Sequence, residues 1–445
     1  MYFIGIDIGT SSICGIIYNI QNKEIETITR ENDAYIKTSY VWEKIQNVSI
    51  IYQIVSNIIS EFSSRYSDIQ GIGFSGQMHG MLYVNKEGDA VSPLYTWQDE
   101  RASQLYKNSK TYTEYLSDIT GYSLATGYGL VTHFYNMENK LVPKDAEKLC
   151  TIMDYVVMRL CVNKSPLTDY SNAASLGFFD IKNLNFDIAA LDKAGINSSI
   201  LPKTTESPKL AGYYKNIPVY SAIGDNQASF LGSVLNIDSS IHIMVGTSSQ
   251  ISVYSPGYVN IKPLDTRPFP GGGFLLVGAA LCGGQSIDIL KKLFESTVKL
   301  FSINSDEIDY YEKIATLDSE KYSDNSLIVN TLFAGTRSEP DTRGSILNIS
   351  TSNLTPENLI MAFTKGICDE LYDFYKIIPE QIKKNKTILI GSGNGIKKNA
   401  LLKKTLENKF QRQLIQSPYQ EESAFGACKC AIVGSNHIKS YKDFH

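Results

Sequence analysis

Two short turns of the same composition stand half a chain apart. Gly9-Thr10-Ser11-Ser12 follows Ile4-Gly5-Ile6-Asp7-Ile8, and Gly246-Thr247-Ser248-Ser249 follows Ile241-His242-Ile243-Met244-Val245. A tight turn opened by glycine aims backbone N–H groups outward, and the hydroxyls add donors, so each turn suits a phosphate. A polar hairpin tip is the plainer reading of either copy alone. Only the first copy has an acid, Asp7, where the second has Met244. One carboxylate beside phosphates is suited to hold Mg2+ through waters. Ser75-Gly76-Gln77-Met78-His79-Gly80, Trp97-Gln98-Asp99-Glu100-Arg101 and Gly224-Asp225-Asn226-Gln227 are polar clusters at strand ends or helix starts. Ligands bind at such places in α/β proteins. His79 has a satisfied buried histidine as its alternative reading. Asp225 reads as a general base or as the N-cap of the next helix, and one residue can be both. Gly391-Ser392-Gly393-Asn394 joins a strand to a helix, which suits a flat or phosphorylated ligand. Gly71, Gly73 and Gly76 spell G-x-G-x-x-G, but residues 77–84 look extended where that fingerprint needs a helix. The Walker A pattern is absent.

Elements must hold these groups. Residues 2–8 and 13–19 alternate as two strands of a hairpin. Val48, Ile51, Val55, Ile58, Ile59 and Phe62 recur at helical spacing within 42–62. A strand is expected at 69–75, a short helix at 154–161 and another helix at 226–234. Residues 241–254 repeat 4–18 at an offset of 237, so two related lobes are expected, 1–236 and 237–445. In the second lobe, 272–280 and 327–333 read as strands and 286–301 as a helix. A long helix spans 356–378, with Thr355 as N-cap and Pro356 at its first position. Strand 387–390 follows, then helices at 397–408 and 422–433, the last stopped by Gly434. Strands alternate with helices throughout, so the fold class is α/β.

Composition narrows the function. The 445 residues carry 42 Lys+Arg and 46 Asp+Glu, a formal charge of −4. There is no basic field for a phosphate backbone, so nucleic acid is excluded as the main partner. With 43% hydrophobic and 20% charged residues the chain is folded, not disordered. No apolar run approaches the ~20 residues of a membrane span. The start, MYFIGIDIGT, reads as a strand, not a secretion signal. Seven cysteines, at 14, 150, 161, 282, 368, 428 and 430, sit mostly among apolar residues and suit a reducing, cytoplasmic setting. Neither C-x-x-C nor H-E-x-x-H occurs, so zinc chemistry is not expected. Asn-x-Ser/Thr triplets in such a chain are chance matches.

These motifs together resemble the FGGY family of carbohydrate kinases, in the ribonuclease-H-like superfamily with actin and hexokinase. The resemblance covers essentially the whole chain. It rests on I-D-I-G-T-S-S at 6–12, S-G-Q-M-H-G at 75–80, W-Q-D-E-R at 97–101, G-D-N-Q at 224–227, G-T-S-S at 246–249 and G-S-G-N-G-I-K-K-N at 391–399. It implies two ribonuclease-H-like lobes with a nucleotide cleft between them, and ATP and Mg2+ as cofactors. It implies Asp225 as the base that accepts the proton of a sugar's primary hydroxyl. Gln77, Met78, His79, Asp99, Asp225 and Asn226 would line the sugar site. Gly9, Thr10, Ser11, Ser12, Gly246, Thr247 and Gly283 would hold phosphates, with Asp7 on the metal. Gly391, Ser392, Asn394 and Asn399 would border the adenosine. S-G-Q-M-H-G is shared with members that phosphorylate D-xylulose. T-W-Q-D at 96–99, A-T-G-Y-G at 125–129, D-Y-S-N-A-A-S at 169–175 and G-D-N-Q-A-S at 224–229 are closer to those acting on sedoheptulose. Sedoheptulose therefore ranks first and D-xylulose second, with a homodimer left open.

Two departures stand out. Where many members place acids after an aromatic near residue 42, Trp42 here is followed by Ile45-Gln46-Asn47. This weakens a glycerol kinase reading and leaves the part played by Asn47 open. The chain is also short for a xylulokinase, so trimmed loops are expected. Two other classes share the fold: an actin-like ATPase switch, which needs no sugar-binding clusters, and a non-catalytic sugar or nucleotide sensor, which needs neither Asp7 nor Asp225.

Overall fold

Ile4, Ile6 and Ile8 face one side of the first strand and Phe3 and Gly5 the other, and both sides are buried. The computed structural model describes residues 1–301, 308–318, 326–336, 339 and 341–444. They form two compact α/β units: Met1–Gly232 with Arg267–Phe274 and Tyr419–His445, and Ser233–Thr266 with Leu275–Pro418.

In the first unit the sheet runs in the order Leu210–Tyr214, Ile217–Tyr220, Ile69–Gly76, Tyr2–Ile8, Ser12–Asn19, Ile25–Glu31. Helix Val48–Arg65 buries the six apolar residues that the periodicity picks out, against the isoleucine face of Tyr2–Ile8. The helix begins later than residue 42 because Asn47 caps it, accepting from the Ser49 and Ile50 N–H groups. Ile45–Gln46 is instead a short strand beside Leu94–Tyr95.

The opposite face is covered by helix Glu422–Gly434 at very close range. A Cβ on Gly5 would lie 1.9 Å from the Ala424 carbonyl, and one on Gly73 1.9 Å from that of Ala427. Glycine in the sheet opposite Ala424, Ala427 and Cys428 in the helix lets the two backbones touch. Cys428 and Cys430 are buried here, as core. Gly434 does not stop this helix; it is the last helical residue, and a Cβ there would meet the Tyr220 ring at 2.4 Å. The expected single boundary after residue 236 lies near the real crossover at Gly232/Ser233, but the chain returns twice to the first unit.

A second sheet has the order Asp265–Pro268, Phe274–Ala280, Ser249–Ser255, Ser240–Val245, Ile388–Ser392, Leu414–Gln416. Its first hairpin repeats that of the first unit. Tyr2–Ile8 is antiparallel to Ser12–Asn19 and parallel to Ile69–Gly76. Ser240–Val245 is antiparallel to Ser249–Ser255 and parallel to Ile388–Ser392. Asp7 pairs with Ser75, and Met244 pairs with Ser392. The second turn is tighter by one residue: Ile8 pairs with Ile13, but Val245 with Ser249. The long helix is Pro356–Lys376, capped by Thr355 as expected. Helices at Tyr112–Thr120, Gly129–Glu138 and Tyr170–Leu176, which no sequence signal marked, build a separate core in the first unit with Met81, Tyr83 and Leu149.

Candidate active site

Three strand ends converge in the first unit. The parallel register sets Asp7 beside Ser75, and Ser75–Gly76 beside Ile223–Gly224. Asp225 follows that pairing directly as the first residue of helix Asp225–Ser233. It thus lies inside the first turn, where an acid is favoured by the helix dipole. Ser75 Oγ donates to Asp7 Oδ1 at 2.6 Å. Both aspartates keep some exposure as residues, yet their carboxyls are poorly hydrated. Burial pushes Asp7 up to about 6, the Ser75 bond opposing and Glu421 adding to the rise. Burial pushes Asp225 up to about 7, reinforced by the Asp7 charge and opposed by the Asn226 backbone and Arg267. Two carboxylates that repel each other in a poorly hydrated place are suited to a divalent cation. Among the described residues no cluster of three or more His, Cys, Asp or Glu side chains could hold a metal. Mg2+ would therefore rest on one or two carboxylates, with waters and phosphate oxygens completing its shell, and these residues fit it.

The first turn is braced by neutral side chains. Thr10 Oγ1 donates to Gln77 Oε1 at 3.3 Å and accepts from Trp97 Nε1 at 2.9 Å. Gln77 Nε2 donates to Gln46 Oε1 at 3.0 Å, and Gln46 Nε2 to the Thr10 carbonyl at 2.9 Å. Asn32 Nδ2 donates to the Gly9 carbonyl at 2.9 Å. Gln77 is buried, so it supports the turn and does not lie open to a ligand. Ser11 and Ser12 are exposed at the turn's tip. Gly9 is required, because a Cβ would stand 2.6 Å from the Ser12 carbonyl.

Met78 packs on Gly224, where a Cβ would meet its Sδ at 2.5 Å. His79 has a left-handed backbone, φ 75°, and its ring stacks on Tyr128 with centroids 4.6 Å apart and planes at 3°. Its Nδ1 lies 2.9 Å from the Ser175 carbonyl, which can only accept, so Nδ1 carries the hydrogen. In the neutral ring Nε2 then holds a lone pair. Asp99 is placed otherwise than as a sugar contact. It is fully buried, and its oxygens accept from the Lys44 and Arg101 N–H groups and from the Arg101 guanidinium at 2.6 and 3.1 Å. Arg101 lies over the Tyr95 ring at 4.2 Å. This pair anchors the loop that carries Trp97.

In the second unit, Thr247 and Ser248 are exposed. The turn's carbonyls are taken by the start of helix Gly284–Leu300: Gly284 N–H donates to Gly246 O, and Gly283 and Gln285 N–H groups to Thr247 O. Gly283 thus shapes the turn and spends its N–H there; a Cβ would sit 2.5 Å from the Ser248 carbonyl carbon. Gly246 has no such crowding, its nearest neighbour being Met244 Sδ at 3.8 Å. Ser392 is buried and bonded to His242 Nε2 at 2.8 Å, in a place where burial holds the imidazole down at about 4 and so neutral. Gly391 is buried, Gly393 has φ 83°, and Asn394 is exposed at the start of Asn394–Lys397. Asn399 caps Ala400–Phe410, accepting from the Leu402 N–H. Ser392 and Asn399 are therefore committed to the fold, Gly391 is buried between Ile243 and Gln416 in the sheet, and Asn394 is the exposed residue of the motif. Ser75, Gln46, Trp97 and Tyr128 were not marked by sequence as site residues, although all but Gln46 lie inside motifs that were.

Residues 2–232 match the N-terminal domain of the FGGY family of carbohydrate kinases. A sedoheptulokinase of Mus musculus is 28% identical over 401 residues, 82% of each chain. A xylulose kinase of Staphylococcus xylosus is 24% identical over 99% of this chain and 92% of its own. The crystal structure of a ligand-bound xylulose kinase from Lactobacillus acidophilus superposes with a TM-score of 0.82 at 20% identity, over 100% of this chain and 91% of that one. No helix among the described residues is long and apolar enough to cross a membrane.

Proposed function

We propose that this chain, which belongs to the FGGY family of carbohydrate kinases, transfers the γ-phosphoryl group of ATP to the terminal primary hydroxyl of a ketose, sedoheptulose first. The observation that carries the mechanism is Asp225, placed at a helix start beside Asp7 with its carboxyl held up near neutrality. A carboxylate raised toward the working pH is a better base than an ordinary aspartate. Asp225 would take the hydroxyl proton late, as the oxygen bonds to phosphorus in a loose transition state. Met78, His79 and Asn226 would hold the sugar, His79 Nε2 accepting from one hydroxyl. Thr10, Ser11 and Ser12 in the first unit and Thr247 in the second would donate to phosphate oxygens. Asp7 would hold Mg2+ through water, and that ion supplies charge neutralisation on the phosphates. Gly391 and Asn394 would border the adenosine.

The sugar ranking rests on the motifs shared with sedoheptulose kinases and on the 28% identical relative. Gly127 of A-T-G-Y-G has φ 89° and a Cβ position 2.1 Å from the Trp97 carbonyl of T-W-Q-D. That motif and T-W-Q-D are thus fitted to each other. ADP release with Mg-ATP is measured against sedoheptulose, D-xylulose, D-ribulose, glycerol and no sugar. Sedoheptulose should give the highest kcat/KM, by about 10-fold or more, the scale on which one pocket contact discriminates. A higher value for D-xylulose would replace the substrate and keep the kinase. Equal ADP release without sugar would favour an ATPase switch.

A further inference from the structure

One short helix touches both halves of the sugar-handling apparatus. In Tyr170–Leu176, Ser171 and Ser175 are four residues apart and share a face, and Asn172 lies next to Ser171. All three are at least 96% buried. At one end, Ser171 Oγ accepts from the Gly224 N–H at 3.0 Å, and Asn172 Nδ2 donates to the Ala222 carbonyl at 3.2 Å. These bonds grip the strand that delivers Asp225. At the other end, Ser175 Oγ accepts from the His79 N–H at 3.1 Å, and the Ser175 carbonyl accepts from His79 Nδ1 at 2.9 Å. The helix is tied down by buried Asp169, whose Oδ1 accepts from the Ser171 N–H and whose Oδ2 accepts from the Ser207 N–H, both at 2.8 Å.

We infer that Ser171 and Ser175 are positioning residues that set the distance between the base Asp225 and the sugar-binding His79 through one turn of helix. Four residues of helix advance ~6 Å, a fixed span that neither strand end could keep alone. His79 needs the help, since its left-handed backbone carries a conformational cost in a non-glycine residue. The Ser175 bonds offset that cost, and they also fix the ring tautomer. The two serines therefore act on different steps. Ser171 governs where the base stands when the proton moves. Ser175 governs how the sugar is held before that.

The inference rests on the kinase reading for its kinetic part only. Ser171→Ala and Ser175→Ala are made in the full chain and compared with the parent by steady-state kinetics, on whichever ketose of the panel the parent phosphorylates best, and by amide hydrogen exchange. Ser171→Ala should lower kcat about 10-fold with the sugar KM within about twofold, and should speed exchange at residues 222–226 but not at 77–80. Ser175→Ala should raise the sugar KM about 10-fold with a smaller change in kcat, and should speed exchange at 77–80 but not at 222–226. Exchange that loosens both segments in either variant, or neither segment in both, overturns the inference. So does an identical kinetic effect of the two substitutions, the mark of a general loss of folded protein. If the parent phosphorylates no sugar, the kinase reading fails, and the exchange pattern alone still decides the positioning.

Discussion

Asp225 is kept where a carboxylate is poorly solvated, and that has two consequences of opposite sign. For activity, Asp225 must be ionised if it is the base proposed above. With carboxyls raised to about 7 and about 6 and coupled to each other, kcat/KM should fall as pH drops from 7 to 5, with an apparent pKa belonging to the pair. Asp225→Asn should lower kcat by about 10²–10⁴-fold, the usual weight of a general base. A pH–rate series on parent and variant checks both; turnover within twofold of the parent would remove Asp225 from the mechanism. For stability the sign reverses. Both folded pKa values lie above the ~3.9 of an unfolded aspartate. The native state therefore binds more protons between about pH 4 and 7, and stability declines as pH rises through that window. Asp225→Asn removes the burdened charge. Its Tm should exceed the parent's by about 2–4 °C at pH 8, the shift that ~1 kcal/mol gives in a domain of this size, and the gap should narrow as the pH falls and close near pH 4. A lower Tm for the variant at pH 8 would mean that the carboxylate is better solvated than its surroundings imply.

At the scale of elements, the two Gly-Thr-Ser-Ser hairpins look equivalent in sequence and are built differently. Gly9 is forced by the Ser12 carbonyl at 2.6 Å, whereas Gly246 has open space. Gly9→Ala should therefore cost stability, about 1–3 kcal/mol as for other overpacked sites, read as a Tm lower by several degrees. Gly246→Ala should leave the Tm within about a degree. If the second turn binds phosphate through its backbone, the added methyl should still raise the KM for ATP several-fold. An unchanged KM would take that turn out of the nucleotide site. The repeated hairpin, the α/β class and the long capped helices were legible because each is written within a few neighbouring residues: Ile4, Ile6 and Ile8 in alternation, Thr355-Pro356 before an apolar stripe. Asn47 illustrates what was not. It stands where an acid was looked for, and its task is to cap a helix, which either Asn or Asp performs. The partners that hold Asp99 and Gln77 within the protein are likewise not written beside them. Arg101 stands two residues from Asp99, but the bonds to Lys44, Gln46 and Thr10 cross 55, 31 and 67 residues of sequence, and long-range pairing of that kind leaves no local trace.

At the scale of the molecule, the sequence repeat invites a cut after residue 236, and the fold does not allow one. The face of the first sheet that carries Phe3, Cys14, Ile16, Tyr18 and Tyr220 is sealed by Phe425, Cys428, Ala431 and Ile432, from the far end of the chain. Lys429 on the same helix is buried, with its ammonium on the Leu231 carbonyl at 2.7 Å, so the end of helix Asp225–Ser233 also depends on the returning segment. Tyr441 closes the arrangement, its hydroxyl on Cys430 Sγ at 3.1 Å and its ring against Gly271. A fragment of residues 1–236 would expose five large or medium apolar side chains on one sheet face, at roughly 1.5–3 kcal/mol for each fully buried large one. That loss is comparable to the 5–15 kcal/mol by which most domains are stable. The fragment should be insoluble or lack a cooperative thermal transition by circular dichroism. The same fragment joined through a flexible linker to residues 419–444 should regain solubility and a transition, since the helix that covers the sheet is restored. A 1–236 fragment that melts cooperatively by itself would show that the first sheet needs no cover from the far end of the chain, and the close glycine contacts at Gly5 and Gly73 would then have to be explained by function instead of packing.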